Sequence, residues 1–273
     1  MHFLNSKIDL LRLASAKKEV YQNAEPFPNI VLPDFFDEDM LSQVLTEFPD
    51  LSKQKDVIQY DNANEKKLAA KGESYFGETT RSLAHFLNSQ PILEFLQELT
   101  GIEETLIPDP YFEGGGYHEI KPGGLLKIHA DFNTNVMTKL DRRINLLVYL
   151  NKDWQESYGG HFELWDRDMT TSRKKILPVF NTIAIFSTTD FSYHGHPNPL
   201  TCPPDRSRKS LALYYYSNGR PAHEVNEGLE EHGTLFKKRT GVDADLKEHV
   251  SWRSVLRDCV PPVILNNVKK IIR

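Results

Sequence analysis

The chain has 273 residues, 33 Lys and Arg against 38 Asp and Glu, a formal charge of −5 and a pI near 6.1. This acid excess argues against a general nucleic-acid binder, which shows a basic surplus, although a local basic groove is compatible with it. With 39% hydrophobic and 11% aromatic residues the chain can bury a core, so global disorder is excluded.

The cysteines are Cys202 and Cys259, so a disulfide framework is not what stabilises the fold, and a reducing, cytoplasmic setting is expected. Residues 1–20 carry scattered charges (Lys7, Asp9, Arg12, Lys17, Lys18, Glu19) and no uninterrupted apolar core, which argues against a signal peptide. No stretch approaches the roughly 20 apolar residues that span a bilayer, so no membrane association is expected.

In chain order, Asp37-Glu38-Asp39 followed by Met40, Leu41, Val44, Leu45 and Phe48 gives an acidic start and apolar residues at helical spacing, closed by Pro49. Ser89 is the N-cap expected for a second helix. Pro91 lies in its first turn, Ile92, Leu93, Phe95, Leu96 and Leu99 on its buried side, and Gly101 at its end. Region 1–101 is therefore a supporting, mostly helical part with a short strand or two.

From 102 to 218 the character changes to short β-rich runs between Gly, Pro, Asn and Asp clusters, clearest at 144–150, 160–165, 182–187 and 210–217. Many short strands with turn residues between them predict a sandwich or barrel such as a jelly roll. Region 219–273 is charged; 219–241 reads as a loop or lid, and 250–256 and 264–272 as short helices interrupted by Pro261-Pro262.

The residues that carry chemistry begin with His129-Ala130-Asp131. In an extended segment alternate side chains share a face, so a His and an Asp two apart can converge on one metal ion. Alone, H-x-D fits a surface strand with two polar residues equally well. Ser192-Tyr193-His194-Gly195-His196-Pro197 supplies a third ligand, His194, and two histidines with one carboxylate are the donor set of iron(II) oxygen chemistry. Arg208-Lys209-Ser210 then opens the strand Leu211-Ala212-Leu213-Tyr214-Tyr215-Tyr216. An Arg there can make a two-pronged bond to a carboxylate, with Ser210 projecting to the same side.

The order H-x-D, long gap, His, short gap, Arg, then an aliphatic and aromatic strand resembles the 2-oxoglutarate and iron(II)-dependent oxygenases, and within them the prolyl 4-hydroxylase-like branch. Residues 121–131, with Pro122-Gly123-Gly124 before His129, are similar to that branch's glycine-rich approach to the first ligand. Arg143-Ile144-Asn145 through Tyr149-Leu150-Asn151, Trp154 and Gly159-Gly160 is similar to its core motif. The likeness covers about 111–217.

It implies a double-stranded β-helix with flanking N-terminal and C-terminal helices. It also implies iron held by His129, Asp131 and His194, and Arg208 paired with the distal carboxylate of 2-oxoglutarate, with Ser210 as a hydrogen-bond partner. Where many relatives carry a tyrosine that helps hold the co-substrate, this chain has Ile120; Tyr117 or Asn145 is the expected substitute. Residues 200–205 lengthen the gap after His194, which makes Arg206, or Lys209, a rival to Arg208. His196 is expected to face the substrate or lie behind the ligands, and His118 and His161 to be ordinary polar histidines.

The implied reaction couples decarboxylation of 2-oxoglutarate to succinate and CO2 with hydroxylation of an unactivated C–H bond by O2, ascorbate being supportive. Because Asp131 is present, hydroxylation rather than halogenation is implied. Substrates compatible with the resemblance are a prolyl residue in a peptide, an amino acid, a sugar or a natural-product intermediate, contacted by 60–77, 139–143 and the tail after Gly219. The competing readings are a cupin-like isomerase or zinc hydrolase on the same scaffold, which has no need of Arg208, and a binding module with a vestigial metal site.

Overall fold

The computed structural model describes residues 2–70, 72–226 and 231–243. The helices expected at 250–256 and 264–272, and Cys259, lie outside the described residues. Four α-helices are found among those described: α1 (Leu10–Gln22), α2 (Glu38–Glu47), α3 (Glu78–Leu87) and α4 (Gln90–Thr100).

The expectations for α2 and α4 hold. Asp37 caps α2 by accepting from the Met40 N–H at 2.9 Å, and α4 starts after Ser89 and ends at Gly101, whose φ of 69° is the left-handed value a glycine adopts without a Cβ penalty. Ser89 does not cap through its side chain. Two helices were not expected. α1 buries only Ala14 and Tyr21 completely, a stripe too thin to stand out among its charges. α3 borrows its cap: the Glu47 carboxylate at the end of α2 accepts from the Thr79 and Thr80 N–H groups at 3.0 and 2.8 Å. Gly77 makes this possible, since a Cβ there would fall 2.3 Å from Glu47.

The strands are β1 (Asn29–Pro33), β2 (Ile58–Asp61), β3 (Glu65–Ala69), β4 (Ile107–Pro108), β5 (Gly116–Ile120), β6 (Leu125–Ala130) and β7 (Asp141–Tyr149). They continue as β8 (Phe162–Trp165), β9 (Ser172–Ile176), β10 (Thr182–Ser187), β11 (His194–His196), β12 (Arg208–Ser217) and β13 (Leu235–Phe236). All pairings are antiparallel, along the path β1-β10-β7-β12-β5-β3-β6-β11-β8-β9; β2 joins β3, β4 joins β12 and β13 joins β6. This path curls on itself, so that Phe186 of β10 meets His194 of β11 with ring centroids 4.7 Å apart. It is the barrel-like antiparallel sheet of a jelly roll. Three strands of 1–101, β1 to β3, belong to it, so the supporting region is woven into the same sheet as the motifs.

Alternation along the strands divides two cores. Ile144, Leu146 and Val148 of β7, Ile183 and Ile185 of β10, and Leu211, Leu213 and Tyr215 of β12 face outward and pack with Leu41, Val44, Leu83, Phe95 and Leu96 of the helices. Each such buried aliphatic side chain contributes roughly 1.5–3 kcal/mol. The opposite set faces the barrel interior: Asn145, Leu147 and Tyr149 of β7, Ala184 and Phe186 of β10, and Arg208, Ser210, Ala212 and Tyr214 of β12. Register puts them in rows, Phe186–Asn145–Tyr214, then Ala184–Leu147–Ala212–Gly116, then Thr182–Tyr149–Ser210–His118. The middle row is mostly small residues, and that leaves room inside.

Candidate metal centre

His129 is the fifth residue of β6, and Asp131 follows the strand's last residue; His194 opens β11 and pairs with His129 across the sheet. Strand pairing therefore brings the distant histidine beside the H-x-D pair. One nitrogen from each imidazole and one carboxylate oxygen lie within 4.8 Å of one another. Their orientation is set by backbone carbonyls. His129 Nδ1 donates to Lys127 O and His194 Nδ1 to Ser192 O, both at 2.8 Å. A carbonyl can only accept, so the hydrogen sits on each Nδ1 and the Nε2 lone pairs turn to Asp131, 3.5 and 3.4 Å from its oxygens. The rings are further fixed by Phe236 on His129 and by Phe162 and Phe186 on His194.

Asp131 is held from behind. Asn145 Nδ2 donates to Asp131 Oδ2 at 2.7 Å, and Arg142 Nη2 lies 3.2 Å from the same oxygen. Arg142 is 1% exposed and sandwiched between the rings of Phe132 and Tyr214, 4.3 and 3.4 Å from their centroids, while its Nε donates to Asn145 Oδ1. Burial alone would raise the Asp131 carboxyl, but Arg142 and the two histidines hold it well below the usual carboxylate range. Burial, and then the neighbouring His194, lowers the His129 imidazole. Neutral imidazoles beside an ionised carboxylate are what a divalent first-row metal needs, and two His with one carboxylate fit iron(II).

Further along the interior face stands Arg208, the first residue of β12, 6% exposed. Its Nε donates to Gly160 O at 2.8 Å and its guanidinium carbon lies 5.1 Å from the Tyr149 ring centroid. Gly160 is required here, because a Cβ would sit 3.0 Å from Arg208 Cδ and 2.6 Å from Leu200. No Asp or Glu among the described residues pairs with this guanidinium, and burial pulls its pKa down. The Tyr149 hydroxyl beside it is buried and makes no well-formed hydrogen bond among the described residues; burial, opposed by Arg208, pushes its pKa up to about 12. A buried guanidinium without an acid among the described residues thus lies beside a buried tyrosine on the interior face. Ser210 lies two residues on, on the same face as Arg208 and opposite both Tyr149 and His118.

Other expectations shift. Tyr117 faces the helices: its hydroxyl meets Thr80 Oγ1 at 2.7 Å and its ring packs on Phe48 and Phe76, because odd positions of β5 point outward. It cannot stand in for a co-substrate tyrosine; the tyrosine beside Arg208 is Tyr149. Asn145 lies at the centre, where its amide bonds Asp131 and Arg142. Arg206 bonds Lys152 O in a surface depression, and Lys209 points outward to Ser207 and Glu119.

His118, read as ordinary, lines a cavity of about 380 Å³ together with His129, Asp131, Arg142, Tyr60 and Tyr214. Burial, with Lys67 nearby, pushes its imidazole down to about 3. His161 does behave as an ordinary polar histidine, bonded to Glu156 at 2.8 Å. The 60–77, 139–143 and post-219 segments expected to meet substrate each contribute to this cavity, the second through Arg142 and the last through Thr234. Just beyond Thr234, β13 hydrogen-bonds to the edge of β6 at Ala130 and His129.

Arg142 was missed in the sequence. Strict alternation from Asn145 would turn Arg143 inward and leave Arg142 outward. A register shift between β7 and β12 pairs Arg142 with Tyr216 and turns it inward. Arg143 instead bonds Glu104, Ser217 and Glu224.

Comparison with known proteins bears on this geometry. A family model described as the 2OG-Fe(II) oxygenase superfamily matches residues 115–216, the span that holds His129, Asp131, His194 and Arg208. A search of curated proteins found no match. Among solved structures, a Pseudomonas putida prolyl-4-hydroxylase is 16% identical with a TM-score of 0.55, covering 76% of this chain and 100% of that one. A Trichoplax adhaerens prolyl hydroxylase in complex with a hypoxia inducible factor peptide fragment is 16% identical with a TM-score of 0.56, covering 76% and 90%. SnoK, a non-heme alpha ketoglutarate dependent carbocyclase from nogalamycin biosynthesis, is 10% identical with a TM-score of 0.53, covering 86% and 98%. At these identities the likeness is one of fold. Family match, barrel and clustered donor set agree: residues 115–216 match the 2OG-Fe(II) oxygenase superfamily, and this domain in this fold indicates a dioxygenase.

Proposed function

We propose that His129 Nε2, His194 Nε2 and the Asp131 carboxylate hold the iron, and that Arg208, with the Tyr149 hydroxyl and Ser210, holds the distal carboxylate of 2-oxoglutarate. The observation that carries this reading is one interior face bearing both a compact His-Asp-His donor set and a buried guanidinium without an anion. When bound, iron and 2-oxoglutarate supply the activation of O2 that couples decarboxylation of the co-substrate to oxidation of a C–H bond.

The chain's own residues do the rest. The carbonyls of Lys127 and Ser192 fix the tautomers of the two histidines, and Asn145 and Arg142 fix the carboxylate between them. Phe162, Phe186 and Phe236 keep water from the imidazoles. Tyr60, His118 and Tyr214, around the cavity beside Asp131, are placed to bind and orient the substrate.

The substrate is a compact molecule or a peptide side chain that enters this cavity and presents a C–H bond to the metal; a prolyl residue is one such group, and the fold is shared with a carbocyclase as well as prolyl hydroxylases. Few cysteines favour a reducing cytoplasm, and ascorbate is the reductant expected to sustain turnover. No helix among the described residues is long and apolar enough to cross a membrane. The test is succinate release with iron(II), 2-oxoglutarate and ascorbate across a panel of peptides, amino acids and metabolites. Substrate-stimulated succinate that disappears in Asp131→Ala supports the reading, and wild-type protein that neither binds iron(II) nor consumes 2-oxoglutarate overturns it.

A further inference from the structure

His196 is a histidine for which the centre described above has no use. It is 3% exposed, and neither ring nitrogen has a hydrogen-bond partner among the described residues. Leaving a buried donor and acceptor unmade is costly, so such a group calls for an occupant. Its placement follows from β11. That strand is wedged between β6 and β8, and Gly195 lets it press on β6: a Cβ there would sit 2.7 Å from the carbonyl oxygens of both Leu126 and Lys127. With Gly195 turned toward β6, the residues on either side, His194 and His196, both turn inward. The charged and titratable neighbours of the His196 ring are Arg208, Lys67 and His129. The buried imidazole thus has the arginine and one of the two donor histidines among its charged and titratable neighbours.

We infer that His196 donates a ring N–H to the distal carboxylate of 2-oxoglutarate, completing the socket begun by Arg208, Tyr149 and Ser210. This rests on the reading of Arg208 given above. A carboxylate offers about four acceptor positions; with Arg208 Nε committed to Gly160 O, one Nη of the guanidinium, the tyrosine hydroxyl and the serine hydroxyl fill three, which leaves one for an imidazole. The second ring nitrogen is then free to accept from a water enclosed with the ligand. His196 becomes a residue that reads the far end of the co-substrate, distinguishing a dicarboxylate from a 2-oxo acid with an apolar tail.

The experiment is calorimetric binding to zinc(II)-loaded protein, which cannot turn over, with 2-oxoglutarate and with 2-oxovalerate, which lacks the distal carboxylate. Wild type, His196→Val, His196→Gln and Arg208→Ala are compared. His196→Val is expected to weaken 2-oxoglutarate roughly 10- to 100-fold and to leave 2-oxovalerate within about twofold; His196→Gln, whose amide can donate, recovers most of the loss. Since valine replaces an unpaired polar group, the ligand-free His196→Val protein should melt no lower than wild type, and only its stabilisation by 2-oxoglutarate should shrink. Equal losses for both ligands, or 2-oxoglutarate affinity untouched by His196→Val while Arg208→Ala abolishes it, overturn the role of His196 alone. Wild type that binds no 2-oxoglutarate overturns it together with the Arg208 reading.

Discussion

The two ends of the barrel interior are built on opposite terms. At the His129–Asp131–His194 end the chain itself supplies a partner to each side chain: hydrogen bonds to the Lys127 and Ser192 carbonyls for the imidazoles, and a hydrogen bond from Asn145 with the nearby charge of Arg142 for the carboxylate. At the Arg208 end the polar groups are left wanting. Among the described residues the guanidinium has Gly160 O but no acid, and the Tyr149 hydroxyl and the His196 ring nitrogens make no hydrogen bond. The first arrangement preorganises a metal site so that little is left to order when the ion arrives. The second leaves a deficit that an anionic ligand removes, so part of the ligand's affinity comes from satisfying groups already buried.

The sharpest break of this contrast is removal of a ligand at the preorganised end. Asp131→Ala should lower iron(II) affinity by more than about 100-fold, and with it succinate formation, as metal analysis after gel filtration would show. At the other end Arg208→Ala should leave iron binding intact and weaken 2-oxoglutarate roughly 100-fold, read as dissociation constant and KM, since a buried charge pair broken on one side costs about 3 kcal/mol or more. Arg206→Ala, outside the barrel, should do neither.

Bracing is a smaller effect and tests whether preorganisation matters. Asn145→Ala should cost roughly 10-fold or more in metal affinity through a mispositioned Asp131, with 2-oxoglutarate affinity falling only as far as metal occupancy falls. Smaller again is Tyr149→Phe, expected to weaken 2-oxoglutarate about 10-fold while the ligand-free protein melts no lower, because the hydroxyl it deletes had no partner. Tyr117→Phe is the control on the outer face: loss of the Thr80 bond should cost about 1 kcal/mol in thermal or denaturant unfolding and leave co-substrate binding alone. If Tyr117→Phe and Tyr149→Phe behaved alike, the division of inner and outer faces would be wrong.

Local chemistry explains what could be read before folding. The caps of α2, the proline and glycine that bound α4, and the strands at 144–150 and 182–187 are signalled by neighbours a few residues apart. His129, Asp131, His194 and Arg208 were legible because each motif is short and their order along the chain is itself a pattern. α3 was not, since its cap is a glutamate from the preceding helix, and neither was β13, two residues long and paired only with β6.

The amino-acid sequence by itself determined the class of chemistry: the donor types for one metal ion, a cation for one carboxylate, and the strands to carry them. Only the tertiary structure decided which side chains fill the supporting roles. Tyr149 and not Tyr117 faces Arg208, Arg142 and not Arg143 backs Asp131, and His118 and His196 look inward. The reason is physical. A strand's side chains alternate with a period of two, so one register shift, as in β7, exchanges inside for outside, and that shift is set by partners far away in the chain.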